Sequence, residues 1–321
     1  MNGEARPAAP GGDPASEALG EGLLPIREVA RLTGVNAVTL RAWERRYGLI
    51  VPHRTAKGHR LYSEAHIARV QAILTWLERG VSVSQVKGLL QAERSAPEEN
   101  LSQWGQKRDQ LLAAIGDLAE RRLDDCFNGE MALYPPQTLC QQLLLPLLQA
   151  LELRWRGQFG AELERVFFLS WLRSKLGARL YHNNRLHGGA PVLLINLCEP
   201  PMEPGLWLSA WLASSAGHAV EVFDWPVPTA ELGLALERIR PCALLLYASQ
   251  ALDGQQLPRL LGAGRCPTVL AGPAVRIHRQ ALAELTAARA DLRLAEDPLA
   301  ALRALDQLNL QAPSQVTPCG K

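Results

Sequence analysis

The sequence predicts a multidomain fold: an all-α head, then a helical bundle, then an α/β doubly wound domain. Three observations predict it. At 321 residues the chain is too long for one ordinary core. The region around residues 100–187 repeats leucines at helical spacing, and from Pro191 onward short β-rich runs alternate with helix-length segments.

Composition narrows the class. Hydrophobic residues at 47%, charged residues at 21% and aromatic residues at 6% suit a globular protein. No apolar run approaches the ~18 residues that span a bilayer. The most apolar stretch, Leu139 to Leu153, is broken by Gln141, Gln142, Pro146 and Gln149 and reads as a core helix. Residues 1–22, rich in Gly, Pro and Ala, predict a disordered tail without a secretory signal, and a cytoplasmic protein with no membrane partner is expected. The cysteines Cys126, Cys140, Cys198, Cys242, Cys266 and Cys319 include no C-x-x-C pair, so reduced thiols are expected, with no structural metal and no disulfide framework.

The net charge of +2 hides an asymmetry. Residues 23–94 hold 12 Lys or Arg against 5 Asp or Glu, a balance of +7 that leaves −5 on the remainder. One end of the chain is suited to a polyanion.

That end, residues 23–94, has the anatomy of a helix-turn-helix. Ile26, Val29 and Ala30 face inward on a first helix, Gly34 permits the tight turn, Asn36 caps a second helix, and Val38 with Leu40 packs that helix back on the first. Ala37, Thr39, Arg41 and Trp43 then form the outward face, which a recognition helix would push into the major groove. Trp43 is equally a candidate for inter-helix packing, and Glu44 for pairing with Arg45 or Arg41. After Pro52, the run from His53 through Arg54, Lys57, His59 and Arg60 to Tyr62 is basic and turn-like and predicts a β-hairpin wing on the phosphate backbone.

The middle, residues 100–187, predicts a four-helix bundle. Leu111, Leu112, Ile115 and Leu118 recur at helical spacing, as do Leu143, Leu144, Leu147, Leu148 and Leu151, and Pro135-Pro136 marks a helix start. In residues 190–308 the β-rich runs are Val192 to Leu197, Ala219 to Phe223, Ala243 to Tyr247, Thr268 to Ala271 and Leu292 to Ala295. Thr229 is the expected N-cap of a helix ending near Ile239. Five parallel strands with helices on both faces follow. Residues 309–321 read as a second tail.

These motifs resemble the MerR family, in which a T-x-R-x-[YW]-E helix precedes a G-x-R-x-Y-x-E wing. Thr39, Arg41, Trp43 and Glu44 match the first pattern, and Gly58, Arg60, Tyr62 and Glu64 the second. The resemblance implies a homodimer bound to double-stranded promoter DNA, working with RNA polymerase and activating by distorting the DNA. The site residues it implies, together with those the residue reading supplies, are Asn36, Thr39, Arg41, Trp43, Arg54, Lys57, His59, Arg60 and Tyr62.

The bundle and α/β domain resemble, in order, the cobalamin-binding light sensors of that family, with a flavodoxin-like sheet. Those sensors place a His in an E-x-H-x-x-G loop under the cobalt and a Trp followed by an E-H pair above it. Here Met202 stands at the loop position in Pro200-Pro201-Met202-Glu203-Pro204-Gly205, and Arg165 follows Glu164 where the pair would end. A thioether is a poor substitute for imidazole, and a guanidinium stays protonated. Trp207 and Trp211 lie one helical turn apart, suited to core packing or to a flat ligand, and His182 or His187 is a candidate to approach the loop. The degenerate pattern resembles MlrA-like regulators, which implies biofilm regulation and cyclic-di-GMP signalling proteins as partners.

The resulting expectation is a transcription regulator rather than an enzyme, without bound cobalamin, whose C-terminal half serves protein interaction or dimerisation. A regulator responding to a corrinoid or nucleotide is the alternative, and a methyl-transfer module a remote one. The absence of a Gly-rich phosphate loop and of a nucleophile-base pair weighs against the last.

Overall fold

The computed structural model describes residues 23–55, 58–78, 80–91, 98–157, 159–199, 202–252, 260 and 266–308. The tails at 1–22 and 309–321, Lys57, and the Pro200-Pro201 pair lie outside the described residues. The chain divides into two compact units rather than the three expected domains: residues 1–105 with 129–135, and residues 106–128 with 136–321.

In the first unit, β1 (Leu24–Pro25), β2 (His53–Arg54) and β3 (Arg60–Tyr62) form an antiparallel sheet in the order β1-β3-β2. The pairs Leu24↔Tyr62 and Arg54↔Arg60 fix its register. Helix α1 (Ile26–Thr33) stops at Gly34, which takes φ +71° and donates its N–H to the Ala30 carbonyl. A side chain there would be strained, so the turn requires glycine. Helix α2 (Ala37–Ala42) continues through a π-helical turn (Trp43–Tyr47) to Gly48. Helices α3 (Glu64–Glu78) and α4 (Val83–Gln91) complete the core with Val70, Ile73, Leu77, Val83 and Val86.

Helix α5 (Glu98–Gly116) starts in the first unit, and α6 (Glu120–Met131) ends in it. Trp104 of α5 donates from Nε1 to the Gly80 carbonyl at 3.1 Å and packs on Tyr134, ring centroids 4.6 Å apart. The Tyr134 hydroxyl accepts the Val83 N–H at 3.3 Å. The head is therefore completed by segments the sequence assigned to a separate bundle.

In the second unit a helix starts at Pro136, as the missing proline N–H allows. It runs as α7 (Pro136–Leu139), a π-helical stretch (Cys140–Leu144) and α8 (Leu145–Arg154). Helix α9 (Ala161–Asn184) follows. Arg154 ties this layer together by donating to the Leu112 carbonyl at 3.2 Å and to Glu164 at 2.8 Å. Asp124 does the same, accepting from Trp171 Nε1 at 2.7 Å and pairing with Lys175 at 2.9 Å. Burial pushes its carboxyl up, but the bonds from Lys175 and Trp171 outweigh this and hold it below the usual range.

The sheet contains β4 (Val192–Asn196), β5 (Val220–Phe223), β6 (Ala243–Tyr247), β7 (Thr268–Ala271) and β8 (Leu292–Ala295), all parallel, in the order β5-β4-β6-β7-β8. Helices α10 (Pro204–Ser215) and α14 (Pro298–Gln307) cover one face. Helices α11 (Leu232–Ile239), α12 (Ala274–Ile277) and α13 (Arg279–Ala288) lie against the other, where Leu193, Ile195, Leu244, Leu246 and Leu270 meet Leu232, Val275 and Leu282. Burial on both faces explains why β4, β6 and β7 are apolar apart from Asn196 at the end of β4 and Thr268 at the start of β7. Thr229 is not the cap expected of it. It opens a 3-10 turn, and α11 starts after Glu231 without a side-chain cap.

Candidate nucleic-acid interface

Asn36 has extended backbone, and its Oδ1 accepts the Thr39 N–H at 2.8 Å, satisfying one of the donors every helix start leaves open. Behind this cap α2 presents Val38, Arg41 and Arg45 outward and buries Thr39, Leu40, Ala42 and Trp43. The outward face expected from the sequence, Ala37, Thr39, Arg41 and Trp43, alternated as a strand does. Helical spacing keeps only Arg41 of the expected DNA contacts and adds Val38 and Arg45.

Two expected contacts, one on α2 and one in the π-helical turn after it, are corrected outright. Thr39 is fully buried, and its hydroxyl has no partner among the described residues, so it presents nothing to base edges. Trp43 is 0% exposed and donates from Nε1 to the Leu133 carbonyl at 2.7 Å, so packing, its other candidate role, is the one the structure assigns. A third correction falls on β3. Tyr62 is buried at the end of β3, the central strand of its sheet, ring edge to His66, and burial raises its hydroxyl above the usual range. Val38 is corrected too, from core residue to surface.

The hairpin holds its cations differently from the expectation. Glu44, at the start of the π-helical turn, accepts from Arg54 Nη2 at 2.6 Å and from Arg60 Nε at 2.5 Å, and pairs with neither Arg45 nor Arg41. Burial raises its carboxyl, yet the bonds from Arg60 and Arg54 prevail and lower it. Arg60 is the more enclosed of the two, so it fastens the hairpin to the recognition helix, while Arg54 keeps half its side chain in solvent. At the turn, Gly58 takes φ +82°, Thr55 and His59 exchange backbone and hydroxyl hydrogen bonds, and the His59 ring is exposed. Arg45 and Arg46, missed in the sequence reading, are exposed beside Arg41, and among the described residues none of these three carries an ion pair. Their signal was available: three arginines within six residues just after the cap.

At the carboxyl edge of the second unit's sheet, Met202 has φ +64° and is 8% exposed. Its N–H reaches Asp224 Oδ1 at 3.0 Å, which also accepts from Trp207 Nε1 at 2.8 Å. Arg173 donates to Asp224 Oδ2 at 2.7 Å and lies over the Trp207 ring. A Cβ on Gly205 would fall 1.9 Å from the Tyr247 hydroxyl, so the phenol rests directly on the start of α10. Ser249 donates to Glu203 at 2.7 Å, and burial raises the Glu203 carboxyl despite that bond. Trp207 and Trp211 are both core residues. His187 is bonded to the Ser214 carbonyl at the far end of α10, His182 is exposed on α9, and Arg165 is exposed beside Glu162.

A cap-and-turn helix pair with a basic outward face, beside an antiparallel hairpin fastened to it, defines a helix-turn-helix DNA-binding regulator. Comparison with known proteins carries this further. The family of MerR HTH family regulatory proteins matches residues 24–93. The HTH-type transcriptional regulator MlrA of Salmonella typhimurium (strain SL1344) is 36% identical over 204 residues, 62% of this chain and 79% of that protein. MlrA of Escherichia coli (strain K12) is 33% identical over 223 residues, 68% of this chain and 83% of that protein. The HTH-type transcriptional repressor CarH of Myxococcus xanthus is 28% identical over 275 residues, covering 79% and 90%. The chain belongs to the MerR family of transcription regulators.

A solved structure, the methanol:cobalamin methyltransferase complex MtaBC of Methanosarcina barkeri, aligns at 15% identity and a TM-score of 0.32 over 69% of this chain and 88% of that one. Among the described residues no helix is long and apolar enough to cross a membrane, and no group of acidic, His or Cys side chains could hold a metal ion.

Proposed function

We propose that the chain binds promoter DNA as a homodimer, inserting α2 into the major groove and laying the β2-β3 hairpin on the backbone, and activates transcription with RNA polymerase by distorting the duplex. One observation carries this reading: Arg41 on α2 and Arg45 and Arg46 in the π-helical turn that continues it are exposed and carry no ion pair among the described residues, with the half-exposed Arg54 on the hairpin that Glu44 holds against them. Arg41, Arg54, His59 and the exposed Asn36 are the contacts retained from the sequence, and Lys57 joins them on its charge alone. Phosphate contacts of this kind release counterions, so affinity falls steeply with salt.

The second unit does not take a corrinoid in this reading. Tyr247 occupies the space over Gly205, Met202 is tied by its N–H to Asp224, and both tryptophans are spent in the core. The residues present do not fit the group. That unit instead serves dimerisation or binding of a partner protein, and the exposed Phe159, Leu163 and Val166 around the start of α9 support this role.

The test is fluorescence anisotropy of the full chain with its own promoter fragment across a salt series, beside the absorption spectrum of protein from cobalamin-fed cells. Steep salt dependence that shrinks by about one unit of log–log slope in Arg41→Ala, with a colourless protein, supports the reading. Salt-insensitive binding overturns the first unit's role, and a stoichiometric corrinoid overturns the second's. Reporter expression that rises on deleting the chain makes it a repressor instead.

A further inference from the structure

On the outward face of α2 and the π-helical turn that continues it, the exposed Arg41 and Arg45 are preceded by an exposed apolar residue. Val38 lies in the first turn, 60% exposed, one turn before Arg41 and two before Arg45 on the same face. An isolated exposed valine is ordinary on a protein surface, but this one stands in the first turn of the helix proposed to enter the groove, two residues after the Asn36 cap. The residues that follow it fit a polyanion, because Arg41, Arg45 and Arg46 are exposed and without ion pairs among the described residues.

In the major groove only one base-edge feature is apolar, the 5-methyl group of thymine. Valine has no donor or acceptor. Pressed against the N7 and O6 of guanine, the N7 and amino group of adenine or the amino group of cytosine, it would strip water from polar atoms and return nothing. Against thymine it covers a methyl group at no such cost. Its β-branch also leaves essentially one rotamer in a helix, so the two methyls are presented in a fixed position. We propose that Val38 is a specificity-determining residue that reads the methyl group of a thymine in the DNA site. This rests on the DNA-binding reading above and assigns part of its sequence preference to hydrophobic contact.

The experiment uses the full chain and duplexes it recovers from a randomised pool. Each thymine in the recovered site is replaced singly by deoxyuridine, which keeps every pairing and hydrogen-bonding edge and removes only the methyl. Wild-type affinity should fall about fourfold, the effect of one buried methyl group, at a single thymine or its symmetry mate. Val38→Ala should bind the thymine duplex more weakly and be indifferent to that replacement, whereas Val38→Thr, which keeps the branch and one methyl, should retain part of the discrimination. Because Val38 is exposed, all three proteins should melt alike. Uracil replacement without effect at every position overturns the inference, as does an equal loss for wild type and Val38→Ala. Failure to recover any duplex overturns the DNA-binding reading itself, a result distinguishable from either.

Discussion

The indole nitrogen of Trp43 donates to the main-chain oxygen of Leu133 across 2.7 Å and 90 residues of sequence. Trp43 follows directly on α2, and Leu133 follows α6, so the recognition helix is fixed by a segment from outside the helix-turn-helix. The role is structural, and it separates from DNA contact by measurement. Trp43→Phe keeps most of the ring and strands the Leu133 carbonyl. It should lower unfolding free energy by about 1–3 kcal/mol in urea titrations, with the salt slope of DNA binding unchanged. A DNA-contacting tryptophan would show the reverse pattern: intact stability and a changed slope.

The Glu44 clamp gives a prediction in pH. Hydrogen bonds from Arg60 and Arg54 hold its carboxyl below the ordinary value of 4.5 despite the opposing effect of burial. A lowered value means the folded state keeps the charge that the unfolded state would neutralise. The stabilisation is complete above the unfolded value near 4.5 and is lost as pH falls through the folded one. Glu44→Gln should therefore be less stable than wild type at pH 7, with the difference narrowing in thermal melts below pH 4.5. A gap that stays constant down to pH 3 would show that the clamp does not carry its charge.

Much of this fold was legible, and the misses have physical causes. The strands Ala243–Tyr247 and Thr268–Ala271 run where their β-rich composition put them, because strands covered on both faces tolerate little but apolar residues, and Leu292–Ala295 does so too although, as an edge strand, it carries Arg293. Gly34, Asn36 and Pro136 act locally, through their own backbone or the next turn, and so were readable. The outward face of α2 was misassigned by a period-2 reading of a period-3.6 element. Leu133, Tyr134 and Trp104 were invisible as parts of the head, because nothing near Trp43, Val83 or Gly80 in sequence marks a partner so distant. Asp224 was missed for the same reason, its donors coming from α9, α10 and the loop before α10.

Asp224 should be the most sensitive single polar residue of the second unit. Its two oxygens accept from Arg173, Met202 and Trp207. Asp224→Asn removes the charge and faces an amide N–H toward at least one of these donors. Arg173 is half exposed and can turn to solvent, whereas Trp207 and the Met202 N–H cannot. The cost should be about 1–3 kcal/mol, read as a lower melting midpoint, while Arg173→Lys should cost less than half as much. Equal losses from the two changes would place the weight on the ion pair and not on the buried donors.

The contact between Tyr247 and Gly205 decides whether the sheet edge is filled by the protein itself. With a Cβ at residue 205 only 1.9 Å from the phenol oxygen and 2.4 Å from its ring carbon, Gly205→Ala forces the buried ring to move. Overpacking of this kind costs about 1–3 kcal/mol. Tyr247→Leu alone should also destabilise, by opening a void beneath α10. If the two groups compete for one space, the double variant should be more stable than the sum of the single losses predicts, by at least 1 kcal/mol, as coupled neighbours are. Additive losses would mean that the ring and the helix start yield independently, and the edge would then have room that the Tyr247 side chain does not claim.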